Sequence, residues 1–148
     1  HRFTPPCETK QIQNCAHQAL LNTYDNPILS TDRLVCPTTD ALKARQSTRN
    51  TALIYLSDHG ESSGENGLYL HGTPYMLAPK QQTHIPFMFW LSSDYQKGFG
   101  IDEQCLRQQA QSEEVSQDNL FSTVLGMMNV QTSVYQSQMD LLSRCRRT

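Results

Sequence analysis

The sequence predicts an α/β fold in which helices flank a small number of buried strands. Two continuous apolar runs, at residues 51–57 and 85–91, are rich in the branched and aromatic residues that favour strands. Runs without polar alternation are typical of strands covered on both faces, as in a parallel sheet between helices. Pro86 restricts the second strand to a start or an edge position, because proline cannot donate a hydrogen bond within a sheet. Helical patterns on either side of these runs complete a layered α/β arrangement.

The helices before the first strand are predicted from residue spacing and from two prolines. Apolar and small residues recur at three- and four-residue intervals from Ile12 to Tyr24, which indicates an amphipathic helix. Pro27 is expected to break or kink it. A second helical stretch is predicted at residues 39–46, and Pro37 suits its start.

Two more helices are predicted after the second strand. Residues 101–110 form the first, and the second begins near Ser116, whose hydroxyl is suited to capping it. The loop at residues 60–79, rich in glycine, is too long for a plain connector and is expected to be functional. The buried stripe of the last helix is predicted to consist of its large apolar residues: Leu120, Phe121, Val124, Leu125 and Met128.

The composition fits one modest globular domain. The chain has 148 residues, 37% of them hydrophobic, a mean hydropathy of −0.56 and a formal charge of −2. Interspersed charges of near-neutral balance give no reason to expect nucleic acid as a partner. No run approaches the ~20 apolar residues of a membrane span, and no signal peptide is visible. Because the chain does not begin with Met, it is expected to be an excerpt of a longer protein.

The cysteines indicate an oxidising compartment. There are five, and one or two disulfides are expected among them. Cys7 and Cys15 bracket a short polar segment, Cys105 and Cys145 lie far along the chain, and Cys36 is the odd one. A metal site made of cysteines is less favoured, because no pair has CxxC spacing.

A candidate metal site follows the first strand. Ligands of α/β sheets bind beyond the carboxyl ends of the strands, which is where Asp58 and His59 stand. A carboxylate and an imidazole together suit Zn²⁺, Gly60 allows the backbone to bend, and Glu61 is placed to orient a ligand from outside the coordination shell. Two structural alternatives stay open: Asp58 caps a turn, and His59 fills a polar pocket.

Other histidines carry weaker signals. His71 lies on the same loop and is placed to converge on the same pocket, although a histidine bonded within the loop is the alternative. His84 stands beside the second strand, where a structural role is favoured.

Two segments carry a family resemblance: residues 55–62 (YLSDHGES) and residues 64–72 (GENGLYLHG). They resemble the lipid A phosphoethanolamine transferases, which include the mobilised colistin-resistance enzymes, and the similarity covers nearly the whole chain. Further segments that resemble the family occur in the same order at residues 1–5, Cys7 and Cys15, 22–26, 74–75, 78–79, 116–122 and 145–147.

The resemblance implies a three-layer α/β/α fold of the sulfatase and alkaline phosphatase type, of which residues 1–148 are the C-terminal part. It implies a zinc enzyme of the bacterial inner membrane whose catalytic domain faces the periplasm. Such enzymes transfer phosphoethanolamine from phosphatidylethanolamine to a lipid A phosphate through a phosphothreonine, and the product binds cationic polymyxins less well.

The same resemblance assigns roles to residues. Asp58 and His59 correspond to two zinc ligands, His71 to a histidine near the phosphoethanolamine group, and Cys7–Cys15 to a family disulfide. The Cys105–Cys145 pairing is expected from their positions in the chain.

Two departures qualify the resemblance. The nucleophilic threonine, a glutamate ligand and the membrane domain are expected upstream of His1, so no catalytic nucleophile is assigned here and this chain alone is expected to be inactive. The segment from Pro27 to Pro37 interrupts a helix that is continuous in the family, and Cys36 is expected to be unpaired. Two other functions stay open: a different hydrolase of the same superfamily, and a non-catalytic remnant.

Overall fold

A computed structural model describes residues 2–147, and within it the chain divides into two compact units. The first unit contains the residues up to Ala44 together with Ala52–Trp90, and the second contains Arg45–Thr51 and the residues from Leu91 onward. His1, which opens one of the similar segments, lies outside the described residues.

The first unit begins with one long helix. Helix α1 runs without interruption over His17–Lys43, with Pro27 and Pro37 inside it. The expectation that Pro27 breaks the helix is therefore wrong, and the stretch predicted at residues 39–46 is largely the last turn of the same helix. Each proline removes one backbone hydrogen bond, a local cost that tertiary contacts outweigh here.

Those tertiary contacts come from two asparagines that are buried on α1. The Asn26 Oδ1 accepts hydrogen bonds from the backbone N–H of Arg2 (2.9 Å) and of Phe3 (3.1 Å). Asn22 donates through Nδ2 to the carbonyl of Pro5 at 2.9 Å. The N-terminal segment is thus fastened across the turn of α1 that precedes Pro27, which holds this part of the helix in place.

Four strands make up two small sheets: β1 (Ala52–Leu56), β2 (Ser62–Ser63), β3 (Tyr69–Leu70) and β4 (Phe87–Leu91). β1 pairs with β4, and β2 pairs with β3. Both long strands match the two apolar runs, and Pro86 directly precedes β4, as the sequence predicts.

The pairing of β1 and β4 differs from expectation in two respects. The N–H of Ser57, just past the end of β1, donates to the carbonyl of Pro86, just before β4 begins (3.3 Å). The end of one strand therefore lies beside the start of the other, so the two strands are antiparallel and not parallel. The residues of β1 are only half-buried. Tyr55 of β1 and Met88 of β4 line an open cavity of about 510 Å³ that α1 also lines.

The second unit packs three helices around its C-terminal segment: α3 (Ser93–Gly98), α4 (Glu103–Ser112) and α5 (Asp118–Met127). The Asp102 carboxylate caps α4 by accepting from the N–H of Cys105 at 3.1 Å. The core residues of this unit are Tyr95, Ile101, Thr123, Met127, Asp140, Leu141, Leu142 and Cys145.

The buried face of α5 is not the predicted one. Of the five predicted residues, Phe121, Val124 and Met128 are exposed and Leu120 and Leu125 are half-buried, whereas Thr123 and Met127 are buried. The helix turns its small and polar side inward because hydroxyls there bond the C-terminal backbone; for example, Thr123 Oγ1 accepts from the N–H of Leu141 at 3.0 Å.

Both disulfide expectations are confirmed. Cys7 bonds to Cys15 and Cys105 bonds to Cys145, with Cα–Cα distances of 5.9 and 5.5 Å. Cys36 is an exposed free thiol. Among the helices of the described residues, none combines the length and the apolar composition needed to cross a bilayer.

Candidate metal centre

The candidate site begins at the turn that follows β1. Ser57 donates through Oγ to the carbonyl of His59 at 2.7 Å, and the N–H of His59 donates to the Asp58 Oδ1 at 3.0 Å. These two bonds curl the backbone as soon as the strand ends. The turn removes the strand alternation that would send adjacent side chains to opposite faces.

Gly60 locks this turn against helix α2 (Lys80–Thr83). Its N–H donates to the carbonyl of Gln82 at 3.0 Å, and a Cβ at this position would stand 2.0 Å from the carbonyl oxygen of Gln81. Only glycine permits so close an approach of two backbones. The glycine of the Asp-His-Gly motif therefore has a packing role as well as a conformational one.

The β2–β3 hairpin joins two other members of the site. Ser62 pairs with Leu70 and Ser63 pairs with Tyr69 in an antiparallel register. Glu61 directly precedes β2 and His71 directly follows β3, so the register places them side by side. The distance from His71 Nδ1 to the Glu61 Oε1 is 3.2 Å.

The two histidine rings lie against each other. The ring centroids of His59 and His71 are 3.9 Å apart, and with Glu61 these residues offer ligand atoms that all lie within 4.8 Å of one another. His59 Nδ1 lies 3.0 Å from the carbonyl of Gly60, which makes this nitrogen the protonated one. The Glu61 carboxylate assigns the proton of His71 in the same way, so both Nε2 lone pairs are left for a cation.

Asp58 joins the group from the solvent side. Its carboxyl is largely exposed, and Oδ2 lies 3.8 Å from His59 Nε2. Two ligands of a tetrahedral zinc stand about 3.3 Å apart, given bonds of roughly 2.0–2.1 Å. The Asp58–His59 pair needs only a small adjustment to reach that spacing, so the residues present fit a Zn²⁺ ion.

The structure brings some of the predicted site residues together and leaves others apart. His59, Glu61 and His71 converge, and Asp58 lies beside His59 only, whereas His84 does not join them and instead lines the cavity beside His59. Glu61 contacts the ring of His71, and its carboxylate is also near enough to bind a cation directly, so its orienting role stays a prediction.

One residue of the site was not predicted. Gln82, in α2, is buried and donates through Nε2 to the hydroxyls of Ser62 (2.9 Å) and Thr73 (3.1 Å), while its Oε1 accepts from the N–H of Thr73 at 3.3 Å. The amide therefore connects the start of β2 with the segment after His71. No signal in the sequence distinguishes Gln82 from its neighbour Gln81.

The proteins that this chain is similar to point to one family. A family model described as Sulfatase matches residues 1–130. The chain is 52% identical over 146 residues to phosphoethanolamine transferase EptA of Salmonella typhimurium, which covers 99% of this chain and 27% of that protein. The chain therefore spans about a quarter of the length of this relative.

The solved structures that this chain is similar to have the same fold and are also phosphoethanolamine transferases by name. The integral membrane protein lipooligosaccharide phosphoethanolamine transferase A (EptA) of Neisseria meningitidis superposes with a TM-score of 0.92 at 45% identity, over 99% of this chain and 27% of that one. The C-terminal periplasmic domain of phosphoethanolamine transferase EptC of Campylobacter jejuni gives 0.83 at 46% identity, over 99% of this chain and 45% of that one. The predicted α/β fold of the sulfatase type is confirmed, as part of a larger domain.

Proposed function

The chain belongs to the sulfatase family, and from that premise we propose that it forms the Asp-His-Gly side of the zinc site of a phosphoethanolamine transferase. The observation that carries the proposal is the cluster of His59, Glu61 and His71 beyond the end of β1, with Asp58 beside His59 on its solvent side. The named relatives supply the reaction class, and the geometry supplies residues for it.

Asp58 and His59 would hold the metal. The carboxylate is an anionic ligand, and the carbonyl of Gly60 fixes the His59 ring so that Nε2 faces the ion. Bound zinc supplies a Lewis acid that stabilises the charge on phosphoryl oxygens during transfer. The backbone bonds of the turn hold both side chains in place before any substrate arrives, and such positioning is the main requirement of phosphoryl transfer.

His71 would contact the phosphoethanolamine group. Its Nε2 is free, and the Glu61 carboxylate at Nδ1 fixes the ring. A histidine in this position can donate a hydrogen bond to a phosphate oxygen or bind a second cation. Glu61 thereby acts on the substrate through His71.

The proposed donor is phosphatidylethanolamine and the proposed acceptor is a lipid A phosphate, on the periplasmic side of the inner membrane. In this transfer the bond between the phosphoethanolamine group and diacylglycerol breaks, diacylglycerol leaves, and the phosphoethanolamine group joins the acceptor phosphate, so an ammonium group stands beside the phosphate anions. The modified lipid carries less net negative charge and binds cationic polymyxins less tightly. The cysteine pairs of this chain suit an oxidising compartment such as the periplasm.

The experiment places this chain in the matching position of the 52% identical Salmonella enzyme and follows transfer from a fluorescent phosphatidylethanolamine to lipid A. We expect the chimera to transfer, and we expect His59→Ala to lower the rate at least 10³-fold, because metal ligands support the reaction's electrostatic stabilisation. His84→Ala is the matched control, since its ring lies outside the cluster, and its rate should stay within about threefold of the parent chimera.

Zinc content separates a metal role from a substrate role. The Asp58→Ala and His59→Ala chimeras should lose bound zinc. His71→Ala should bind zinc roughly tenfold more weakly, because the His59 ring loses the ring packed against it, yet it should retain zinc when the ion is in excess and should lose transfer. Unchanged zinc in both of the first two variants would remove the ligand assignment. Hydrolysis of a sulfate or phosphate ester by the chimera without lipid transfer would favour a different member of the superfamily.

A further inference from the structure

Three consecutive large apolar side chains stand in solvent shortly after His71. Tyr75, Met76 and Leu77, here called the apolar tip, are 84%, 95% and 71% exposed. Single exposed apolar residues are ordinary, but a contiguous exposed run is unfavourable in water unless it has a function.

The apolar tip is presented by an ordered turn. The N–H groups of Leu77 and Ala78 donate to the carbonyl of Pro74 at 2.8 and 3.0 Å, which closes one turn of backbone. The preceding Thr73 is tied to the buried amide of Gln82. The side chains are therefore displayed on a fixed base, which lowers the entropy lost when they bind.

The charges around the apolar tip suit a lipid surface. Residues 66–79 contain no Asp, Glu, Lys or Arg, so no full charge opposes insertion of the turn into an apolar layer. The next residue, Lys80, is exposed at the base of the turn and can attract anionic headgroups. Tyrosine is also a residue that prefers the boundary between headgroups and acyl chains.

The position of the apolar tip relative to the site matches the dimensions of a lipid. Tyr75 is four positions after His71, so their Cα atoms are at most about 14 Å apart. The headgroup region of one leaflet is roughly 5–8 Å thick. A loop within that reach of a site that binds a lipid headgroup also reaches the start of the acyl chains.

We propose that the apolar tip inserts into the headgroup–acyl boundary of a phospholipid membrane and so holds the candidate site at the lipid surface. The choice of a lipid as occupant rests on the proposed function, because that function requires a lipid headgroup at His71. The insertion itself needs neither metal nor turnover, so it can be measured independently.

The test measures how the 148-residue chain binds vesicles of phosphatidylethanolamine and phosphatidylglycerol, by co-sedimentation in EDTA. The double variant Met76→Ser with Leu77→Ser should lower the partition constant between water and vesicles by roughly tenfold or more, since two large side chains lose their apolar contact with lipid. The matched control is Phe121→Ser with Met128→Ser on α5, where the two side chains are 59% and 71% exposed. This control should change the partition constant less than about twofold.

A fluorescence readout locates the contact. The fluorescence of a tryptophan at the apolar tip (Leu77→Trp) should shift to shorter wavelength when vesicles are added and should be quenched by brominated acyl chains. The fluorescence of Met128→Trp should do neither. Equal vesicle binding by the parent and the double variant, or an equal loss in the α5 control, would overturn the inference.

The two proposals fail in different ways. If the chimera transfers phosphoethanolamine but changes at the apolar tip leave vesicle binding intact, membrane insertion is wrong and the proposed reaction stands. If those changes weaken vesicle binding while no chimera transfers, the lipid contact is real and the assigned reaction is wrong.

Discussion

Replacing Gln82 with alanine should weaken both the fold and the metal site, although Gln82 touches no proposed ligand. Its amide makes three hydrogen bonds, two to hydroxyls and one from a backbone N–H, on either side of the β2–β3 hairpin. Each such bond contributes about 0.5–1.5 kcal/mol net, so their joint loss should lower the free energy of unfolding by about 2–4 kcal/mol. Ser62, itself buried, would be left without this partner.

The effect should reach the metal through His71, whose ring lies against that of the proposed ligand His59. Thr73 loses its anchor to Gln82, and the segment that carries His71 then moves more freely relative to Glu61. Outer partners of metal ligands typically change affinity 10–100-fold, and Gln82 is one step further out, so we expect a loss on the order of tenfold.

The assay pairs urea denaturation with zinc titration calorimetry, and the neighbouring residue provides the control. Gln81 is in the same short helix, is exposed, and approaches Gly60 with its backbone carbonyl, which alanine would keep. Gln81→Ala should therefore change unfolding by less than about 0.5 kcal/mol and leave zinc binding unchanged. If Gln82→Ala and Gln81→Ala behaved alike in both measurements, the bridging role of the amide would be refuted.

Two further predictions concern the second unit. Gly126→Ala would place a Cβ 2.0 Å from the buried Asp140 Oδ2 and should lower the free energy of unfolding, measured in urea, by about 2–3 kcal/mol. Gly98→Ala is the control, because its Cβ would meet only a side-chain nitrogen at 3.4 Å, and it should cost under about 1 kcal/mol. Equal costs would contradict the packing argument. Burial raises the pKa of Tyr95, whose hydroxyl donates to the carbonyl of Met127 at 2.6 Å. The stability that the neutral hydroxyl contributes is therefore present below its ordinary pKa of 10 and is lost as pH rises through the pKa of the folded state. Tyr95→Phe should lower stability at neutral pH by about 1 kcal/mol and flatten the fall in stability above pH 10, and a parallel pH profile would argue against it.

The parts of the fold that sequence could predict are those fixed by local pattern. The apolar runs around Ile54 and Phe89 become β1 and β4, and the Asp58–His59 turn follows β1 directly. The direction of β4 was not readable, because an apolar run has the same composition in a parallel and in an antiparallel pair. The hairpin that joins Glu61 to His71 has strands of two residues each, too short for a periodicity to show.

The long helix shows how distant contacts override local preference. Pro27 is a strong helix breaker in sequence, but the preceding turn carries Asn22 and Asn26, whose side chains bond backbone more than fifteen residues away. Nothing in the helical periodicity shows that these two polar residues face inward. An asparagine that satisfies backbone groups of another segment is equivalent, for the helix, to a packed apolar side chain.

The same reasoning explains why α5 faces opposite to its hydrophobic stripe. A stripe rule assumes that burial follows apolarity, yet the C-terminal segment of this unit approaches as backbone that needs hydrogen-bond partners. Thr123 meets the N–H of Leu141, and Asn119 Nδ2 donates to the carbonyl of Met139 at 3.1 Å. A helix side made of Phe121 and Met128 could bury more area but would leave those backbone groups unbonded, at a cost of about 1–3 kcal/mol each. Satisfying several such groups outweighs the apolar area that α5 leaves in solvent, so its polar side turns inward.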